Sequence, residues 1–383
     1  MEYKFIATTT FGLESTVKRE VKNLDFQNIH AEDGKIMYTG SLNTLVKSNI
    51  YLRSADRVLL VLNEFKALEF EDLFQGVKAI DWSFFLPKDA NFIVTGKSNK
   101  SQLSSVPACQ SVAEKAIITK LNEKYNLERY PKTGATYKIL VALLKNNVTI
   151  TLDTTGDGLH KRGYRDKSVE APLKETLAHG LIELSYWNKN RLLMDPTCGS
   201  GTILIEAAMK GRNIPPGIER KFISEKWDFI PESIWKEERK KAFKEIDHDY
   251  NGQFLGYDID KKAIEIAKEN AYNAGVDDLI HFETKAFNEL KLPCQYGISI
   301  CNPPYGERIG ILKDVFQLYT DMGILFKDRT WSSCVITSEE KFQSLYGREA
   351  DSKRKLYNGM IKIDYYQYNG ERPPKDFTYP RLF

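Results

Sequence analysis

An apolar run at residues 297–301 ends in Asn302-Pro303-Pro304-Tyr305. The two prolines fix the backbone, so the Asn302 side-chain carbonyl and the Pro303 main-chain carbonyl can point at one place. Paired acceptors of this kind suit an amino group with a delocalised lone pair, such as the exocyclic amine of a nucleobase. Accepting its hydrogens would concentrate electron density on nitrogen and aim it at an electrophilic methyl sulfonium. Tyr305 is placed to stack on a base rotated out of its helix. Such a site needs no metal and no Ser or Cys nucleophile. The plainer alternative is a proline-stiffened loop closing a strand.

A second chemical feature lies upstream. Asp195-Pro196-Thr197-Cys198-Gly199-Ser200-Gly201-Thr202 follows the strand-like residues 191–194 and opens a helical pattern. Glycines at a strand-to-helix turn let a ligand approach the backbone, and a helix start offers free N–H groups. Asp195 can hold a cationic amine. A glycine turn that merely packs strand on helix gives the same pattern, so the next acids matter. Strand-like residues 253–257 end in Asp258-Ile259-Asp260. A carboxylate at Asp258 suits the two hydroxyls of a ribose, while Asp260 fits an N-cap for the helix beginning near Lys261. A dinucleotide fingerprint would need a third glycine where Leu204 stands, and no G-K-[ST] follows as in a P-loop. A small nucleoside cofactor fits better.

These loops need a scaffold that brings strand ends together. From residue 169 onward strand and helix patterns alternate. Helical stretches are expected at 171–186, 203–210, 261–274 and 311–326, and strands at 191–194, 253–257, 280–283, 297–301 and 333–337. An antiparallel pair turned by Asn358-Gly359 closes the chain. That rhythm predicts an α/β fold with a doubly wound, mostly parallel, Rossmann-like sheet. A charged, Trp-containing insertion at 211–252 interrupts it and is expected to pack beside that sheet. The first 155 residues read as α+β, with a helix over 106–125 and a hairpin, 137–144 with 147–153, turned at Lys145-Asn146. Residues 156–168 are polar and glycine-rich, as a linker would be.

At 383 residues, with 42% hydrophobic and 28% charged residues, the chain has ample material for two or three packed domains. No apolar run of 18 or more suggests a membrane span, and no signal-peptide pattern opens the sequence. Five scattered cysteines, none in a C-x-x-C pair, argue for reduced thiols in the cytoplasm and against structural zinc. Net charge is only +3, yet residues 97–165 hold 12 Lys and Arg against 5 Asp and Glu. A basic middle segment is either an uneven solvated surface or the footprint of a polyanion. Lys97, Lys100, Lys161, Arg162 and Arg165 are the candidate contacts to such a polyanion.

At these motifs the sequence resembles the class I, S-adenosylmethionine-dependent RNA methyltransferases that carry an N-terminal THUMP domain. It looks most like the N-terminal half of the bacterial 23S rRNA guanine-N2 methyltransferases. Residues 101–116 (SQLSSVPACQSVAEKA) and 150–165 (ITLDTTGDGLHKRGYR) point to the THUMP-bearing group. Residues 171–177 (APLKETL), 195–202, 256–260 and 302–310 (NPPYGERIG) match its motifs too. The resemblance implies a ferredoxin-like α+β region at 1–60, a THUMP domain at 61–155, a linker at 156–168 and a methyltransferase domain at 169–383. It also implies that Asp195, Thr197, Gly199 and Gly201 line the methionine end of the cofactor, flanked by Lys174, Glu175 and Thr176. Asp258, with Ile259 beside it, would bind the ribose. Ala286 stands where relatives carry an acid for the adenine amine, leaving Asn288 or backbone groups for that role. Asn302, Pro303, Pro304 and Tyr305 would carry transfer. The implied partner is 23S rRNA, naked or partly assembled. An adenine-N6 methyltransferase on RNA or DNA, and a non-catalytic RNA-binding protein with a relic methyltransferase fold, are the alternatives.

Overall fold

The computed structural model describes residues 2–127, 130–165, 173–304 and 312–383. The chain divides into two compact units, one of Met1–Thr9, Val17–Leu159 and Glu219–Lys241, the other of Thr10–Thr16, His160–Ile218 and Ala242–Phe383.

The strands of the first unit are β1 (Tyr3–Thr8), β2 (Gln27–Glu32), β3 (Lys35–Gly40), β4 (Arg57–Lys66), β5 (Asn91–Asn99), β6 (Thr136–Leu144) and β7 (Asn147–Asp153). Among them run helices α1 (Glu14–Asn23), α2 (Leu42–Tyr51), α3 (Phe70–Lys78), α4 (Trp82–Phe85) and α5 (Val106–Tyr125). Helix α5 and the β6–β7 hairpin lie where the sequence pattern puts them. In β6 alternate residues Tyr137, Ile139, Val141 and Leu143 are buried, the period of a strand with one face on a core. Lys145 and Asn146 turn the β6–β7 hairpin with φ of 51° and 66°, both left-handed as a two-residue type I′ turn requires.

All seven strands join one sheet in the order β2-β3-β1-β4-β7-β6-β5. Strand β4 pairs with β1 on one side and β7 on the other. A division at residue 60 therefore falls inside a strand that both N-terminal regions share. The insertion also differs from expectation. Residues Glu219–Lys241 belong to this unit, not beside the second sheet. The Trp227 ring stacks on Tyr137 at 5.0 Å, and its indole N–H donates to the Thr136 carbonyl at 2.9 Å. A tryptophan buried that completely needs both an apolar wall and an acceptor, and β6 supplies both.

The second unit holds β8 (Leu193–Asp195), β9 (Phe254–Asp258), β10 (Ile280–Thr284), β11 (Ile298–Cys301), β12 (Ser332–Thr337), β13 (Ser352–Asn358) and β14 (Ile361–Tyr368). Its helices include α6 (Glu175–Leu184), α7 (Thr202–Gly211), α9 (Lys261–Asn273), α10 (Leu312–Leu325) and α11 (Phe342–Tyr346); α8 (Glu232–Lys244) lies in the insertion and for most of its length in the first unit. Strand order is β10-β9-β8-β11-β12-β14-β13. The first five are parallel, and β14 and β13 close the sheet antiparallel. This is the doubly wound, mostly parallel sheet expected. Leu193 enters one buried cluster and its neighbour Met194 the other, because successive strand side chains face opposite sides. Helix α6 begins at Glu175, later than position 171; residues 171 and 172 lie outside the described residues. No helix among the described residues is long and apolar enough to cross a membrane.

Candidate active site

The order of strands reverses between β8 and β11, which makes their carboxyl ends the place where a ligand settles in such folds. The register makes this concrete. Leu193 pairs with Phe254 on one side and Ile298 on the other. Asp195, Asp258 and Asn302 thus emerge from the same ends of three adjacent strands, β8, β9 and β11, with β8 in the middle. The outer two are separated by two strand spacings, roughly 10 Å.

The loop after β8 is tied to the end of β9. The Cys198 N–H donates to the Tyr257 carbonyl at 2.8 Å, and the Gly199 N–H to Asp258 Oδ2 at 2.8 Å. The other Asp258 oxygen accepts from the Asp260 N–H at 2.9 Å. Each oxygen keeps a second lone pair, so the carboxylate that shapes the loop is also able to accept two hydroxyls. Asp260 takes the capping role, its side chain accepting from the Lys262 N–H at the start of α9. Ile259 projects beside them, 76% exposed, an apolar surface out of keeping with a solvated turn.

Asp195 is buried and accepts from the Thr197 N–H at 3.1 Å. Burial raises its carboxyl well above the ordinary range, and the nearby charge of Asp258 adds to the effect. Glu175, buried at the start of α6, is also raised by burial, with Arg165 working in the opposite direction. Thr176 beside it is buried, and Lys174 is half-buried at the N-cap. Gly199 and Gly201 both have positive φ, 52° and 81°. A Cβ at Gly201 would stand 2.9 Å from the Phe282 ring and 3.2 Å from Ala267. The second glycine is therefore demanded by packing against β10 and α9, a constraint that ligand approach alone does not reveal.

On the transfer side, Pro303 is buried, and Asn302 and Pro304 are half-buried. The Asn302 Oδ1 atom is buried and has no hydrogen-bond partner among the described residues. Thr197 Oγ1 is in the same condition. The Pro304 carbonyl accepts from the Tyr319 hydroxyl at 3.2 Å, which also meets Thr337 Oγ1 at 2.9 Å. Tyr319, on α10, thereby holds the proline loop to the end of β12; no motif marks it. Tyr305 lies outside the described residues. Asn288 is exposed, within a short helical turn after β10, and the N–H of Lys285 bonds the Asp258 carbonyl.

The basic candidates separate. Lys97, Lys100 and Lys161 are exposed. Arg162 is buried, and its guanidinium grips Glu206 through Nε at 3.2 Å and Nη2 at 3.1 Å. That correction has a plain cause: a guanidinium sealed against a buried carboxylate of α7 has no path to a phosphate. Arg165 turns inward too. It donates to Thr202 Oγ1 at 2.6 Å and the Leu173 carbonyl at 3.3 Å, and lies 3.3 Å from Glu175. Neither arginine remains an RNA contact.

Buried acids, a carboxylate with two free lone pairs, and an unpaired amide oxygen suit a cationic nucleoside beside an amine-bearing substrate. Comparisons with known proteins agree. Residues 162–367 match the UPF0020 family, described as RMKL-like, methyltransferase domain. Residues 4–59 match the RlmL ferredoxin-like domain and 67–153 the THUMP domain. The chain is 44% identical to the putative RNA methyltransferase YpsC of Bacillus subtilis (strain 168), over 96% of each protein. It is 34% identical to the ribosomal RNA large subunit methyltransferase K/L of Psychromonas ingrahamii, covering 96% of this chain and 51% of that one. The chain thus spans about half the length of its K/L relatives. Among solved structures, SMU.472 complexed with S-adenosylhomocysteine has a TM-score of 0.91 at 41% identity, covering 97% of this chain and 99% of that one. A Listeria monocytogenes protein described as a predicted N6-adenine-specific DNA methylase has a TM-score of 0.92 at 45% identity, with 97% of each covered.

Proposed function

The chain belongs to the UPF0020 family of RMKL-like methyltransferases, as an S-adenosylmethionine-dependent RNA methyltransferase of the RlmK/L type, and from that premise we propose that its target is the N2 amine of a guanine in large-subunit ribosomal RNA. The observation that carries an amine target is the buried Asn302 Oδ1, which has no partner among the described residues. Leaving an acceptor buried and unbonded costs about 1–3 kcal/mol, and an amine hydrogen offsets that cost only when substrate is present. The choice of ribosomal RNA follows the name of the K/L relatives, and the choice of guanine follows the resemblance read from the sequence motifs.

S-adenosylmethionine supplies an electrophilic methyl group on a cationic sulfur. Asn302 Oδ1 and the Pro303 carbonyl accept the two amine hydrogens, turn the nitrogen lone pair out of conjugation and aim it at that carbon. Tyr319 holds the Pro304 carbonyl beside them. As the new N–C bond forms, the C–S bond breaks, S-adenosylhomocysteine leaves, and the methylated nitrogen sheds its extra proton to water. Asp195 and Glu175 receive the α-ammonium, and Asp258 the ribose hydroxyls. Lys97, Lys100 and Lys161 are the remaining candidates for phosphates. A base within a finished subunit is stacked and paired, so naked or partly assembled RNA in the cytoplasm is the expected substrate.

Ribosomal RNA from a strain lacking this protein, incubated with purified enzyme and labelled cofactor, should gain N2-methylguanosine by nucleoside mass spectrometry. Gain of N6-methyladenosine with N2-methylguanosine unchanged would overturn guanine and favour the adenine reading.

A further inference from the structure

The cofactor end of the second unit holds more negative than positive charge. Asp195 and Glu175 are buried there, and Asp258 stands at the adjoining strand end. The methionine end of S-adenosylmethionine carries an α-ammonium and an α-carboxylate. Two acids match the ammonium; the carboxylate would be repelled by both unless a cation is held between. Arg165 is such a cation, since its guanidinium spans the start of α6, at Glu175 and Leu173, and the start of α7, at Thr202. Its donors are incompletely used. The Nε atom is buried with no acceptor among the described residues. Arg162, three positions away, is by contrast engaged through both Nε and Nη2 with Glu206.

We propose that Arg165 binds the α-carboxylate of the cofactor through its Nε–H, between helices α6 and α7, rather than RNA phosphate. Thr202, Leu173 and Glu175 hold the other guanidinium nitrogens and fix its orientation, and a charge-assisted N–H bond to a carboxylate is stronger than a neutral one. In this position its positive charge also offsets the repulsion of the ligand carboxylate by Asp195 and Glu175. The inference rests on the cofactor reading above.

Calorimetric titration with S-adenosylhomocysteine and with its decarboxylated analogue separates the two. The wild type should prefer the ligand bearing the carboxylate. R165Q should lose about 10- to 100-fold in affinity for S-adenosylhomocysteine, the value of a charged hydrogen-bonded contact, and bind the decarboxylated analogue within threefold of wild type. R165K, which keeps the charge without the Nε donor, should fall between and serves if R165Q does not fold. Unchanged affinity for S-adenosylhomocysteine overturns the proposal. So does an equal loss for both ligands, which would mean that Arg165 shapes the pocket without touching the carboxylate. Failure of the wild type to bind either ligand would instead sink the cofactor reading beneath it.

Discussion

Asp258 carries the most information per substitution, because the proposed function gives one carboxylate two jobs. Its oxygens accept the N–H groups of Gly199 and Asp260 at 2.8 and 2.9 Å, and their remaining lone pairs are left for the ribose. Truncation to Ala should remove two charge-assisted bonds to ribose hydroxyls, each worth ~1.5–3 kcal/mol, so affinity for S-adenosylhomocysteine should fall by roughly 100-fold or more. The ligand-free protein should weaken as well, by ~1–3 kcal/mol, since the part-buried Gly199 N–H loses its acceptor. Asn is no gentler here. Its amide offers one acceptor, and its NH2 must then face either the Gly199 or the Asp260 N–H, donor against donor. D258N should therefore match D258A in urea-unfolding stability, although its side chain keeps the size and shape of the wild type. Calorimetry gives the affinity and urea melts the stability. If D258A bound S-adenosylhomocysteine within threefold of wild type, the ribose assignment would be wrong. If D258N were as stable as wild type, the dual role would be wrong.

N302A should keep cofactor affinity and lose ~100-fold or more in single-turnover methyl transfer. Its stability should not fall, because the substitution deletes a buried acceptor that has no partner among the described residues; a marked loss on thermal melting would mean that the oxygen is structurally bonded. R162M or E206Q alone should cost ~3–5 kcal/mol by stranding a buried charge or acceptor, with the R162M/E206M pair recovering much of it in urea melts. In RNA titrations, neutralising Lys97, Lys100 and Lys161 together should flatten the log–log salt slope by ~0.7 for each phosphate that is no longer neutralised; an unchanged slope means that these lysines face only solvent. Cofactor affinity should weaken as pH falls toward the raised Asp195 value, since burial favours its protonated form and an ammonium favours the ionised one. In the ligand-free protein the same raised value contributes stability that is present at low pH and lost as pH rises through it. Titrations in buffers of different ionisation enthalpy should register proton release on binding, and its absence would place the ammonium elsewhere.

The strand-end loops are legible in the sequence because their signals are local. Asp195 through Gly201, Asp258 with its capping neighbour Asp260, and the prolines after Asn302 each announce themselves within a few residues, and the alternating βα rhythm places them on one sheet edge. What escapes depends on partners far along the chain. Gly201 must lack a Cβ because of Phe282. Tyr319 bonds Pro304 from a helix without a motif. Counting charge over residues 97–165 finds a basic segment but not direction, so it assigns Arg162 and Arg165 to RNA when Glu206 and Glu175 draw them inward. The 150–165 motif is partly explained in the same way. Asp153 accepts from the Thr155 and Gly156 N–H groups and pairs with Arg57, while Thr154 and Thr155 bond the Asn49 side chain. These residues hold the end of β7.

The free enzyme carries several unfavourable features at one sheet edge: a buried Asp195 whose carboxyl is bonded to a backbone N–H, and unpaired Thr197 Oγ1, Asn302 Oδ1 and Arg165 Nε among the described residues. Each is costly alone, by ~1–3 kcal/mol for an unbonded polar atom, and each has a complement in the ligands: ammonium and carboxylate on the cofactor, amine hydrogens on the base. Natural sequences tolerate such sites where function needs them and the rest of the core is sound. The consequence is thermodynamic. A ligand that satisfies these groups stabilises the fold by RT ln(1 + [L]/Kd), ~2.7 kcal/mol at a hundredfold excess over Kd. The second unit should therefore resist urea more strongly with S-adenosylhomocysteine present, and the first unit should not share the gain beyond whatever coupling links them. Limited proteolysis across a ligand titration reads this directly. Cleavage within His160–Ile218 and Ala242–Phe383 should slow as ligand saturates, while cleavage within Val17–Leu159 stays constant. Equal protection of both would mean that the units unfold as one, and no protection of either would mean that the unpaired groups at the sheet edge are not where the ligand binds.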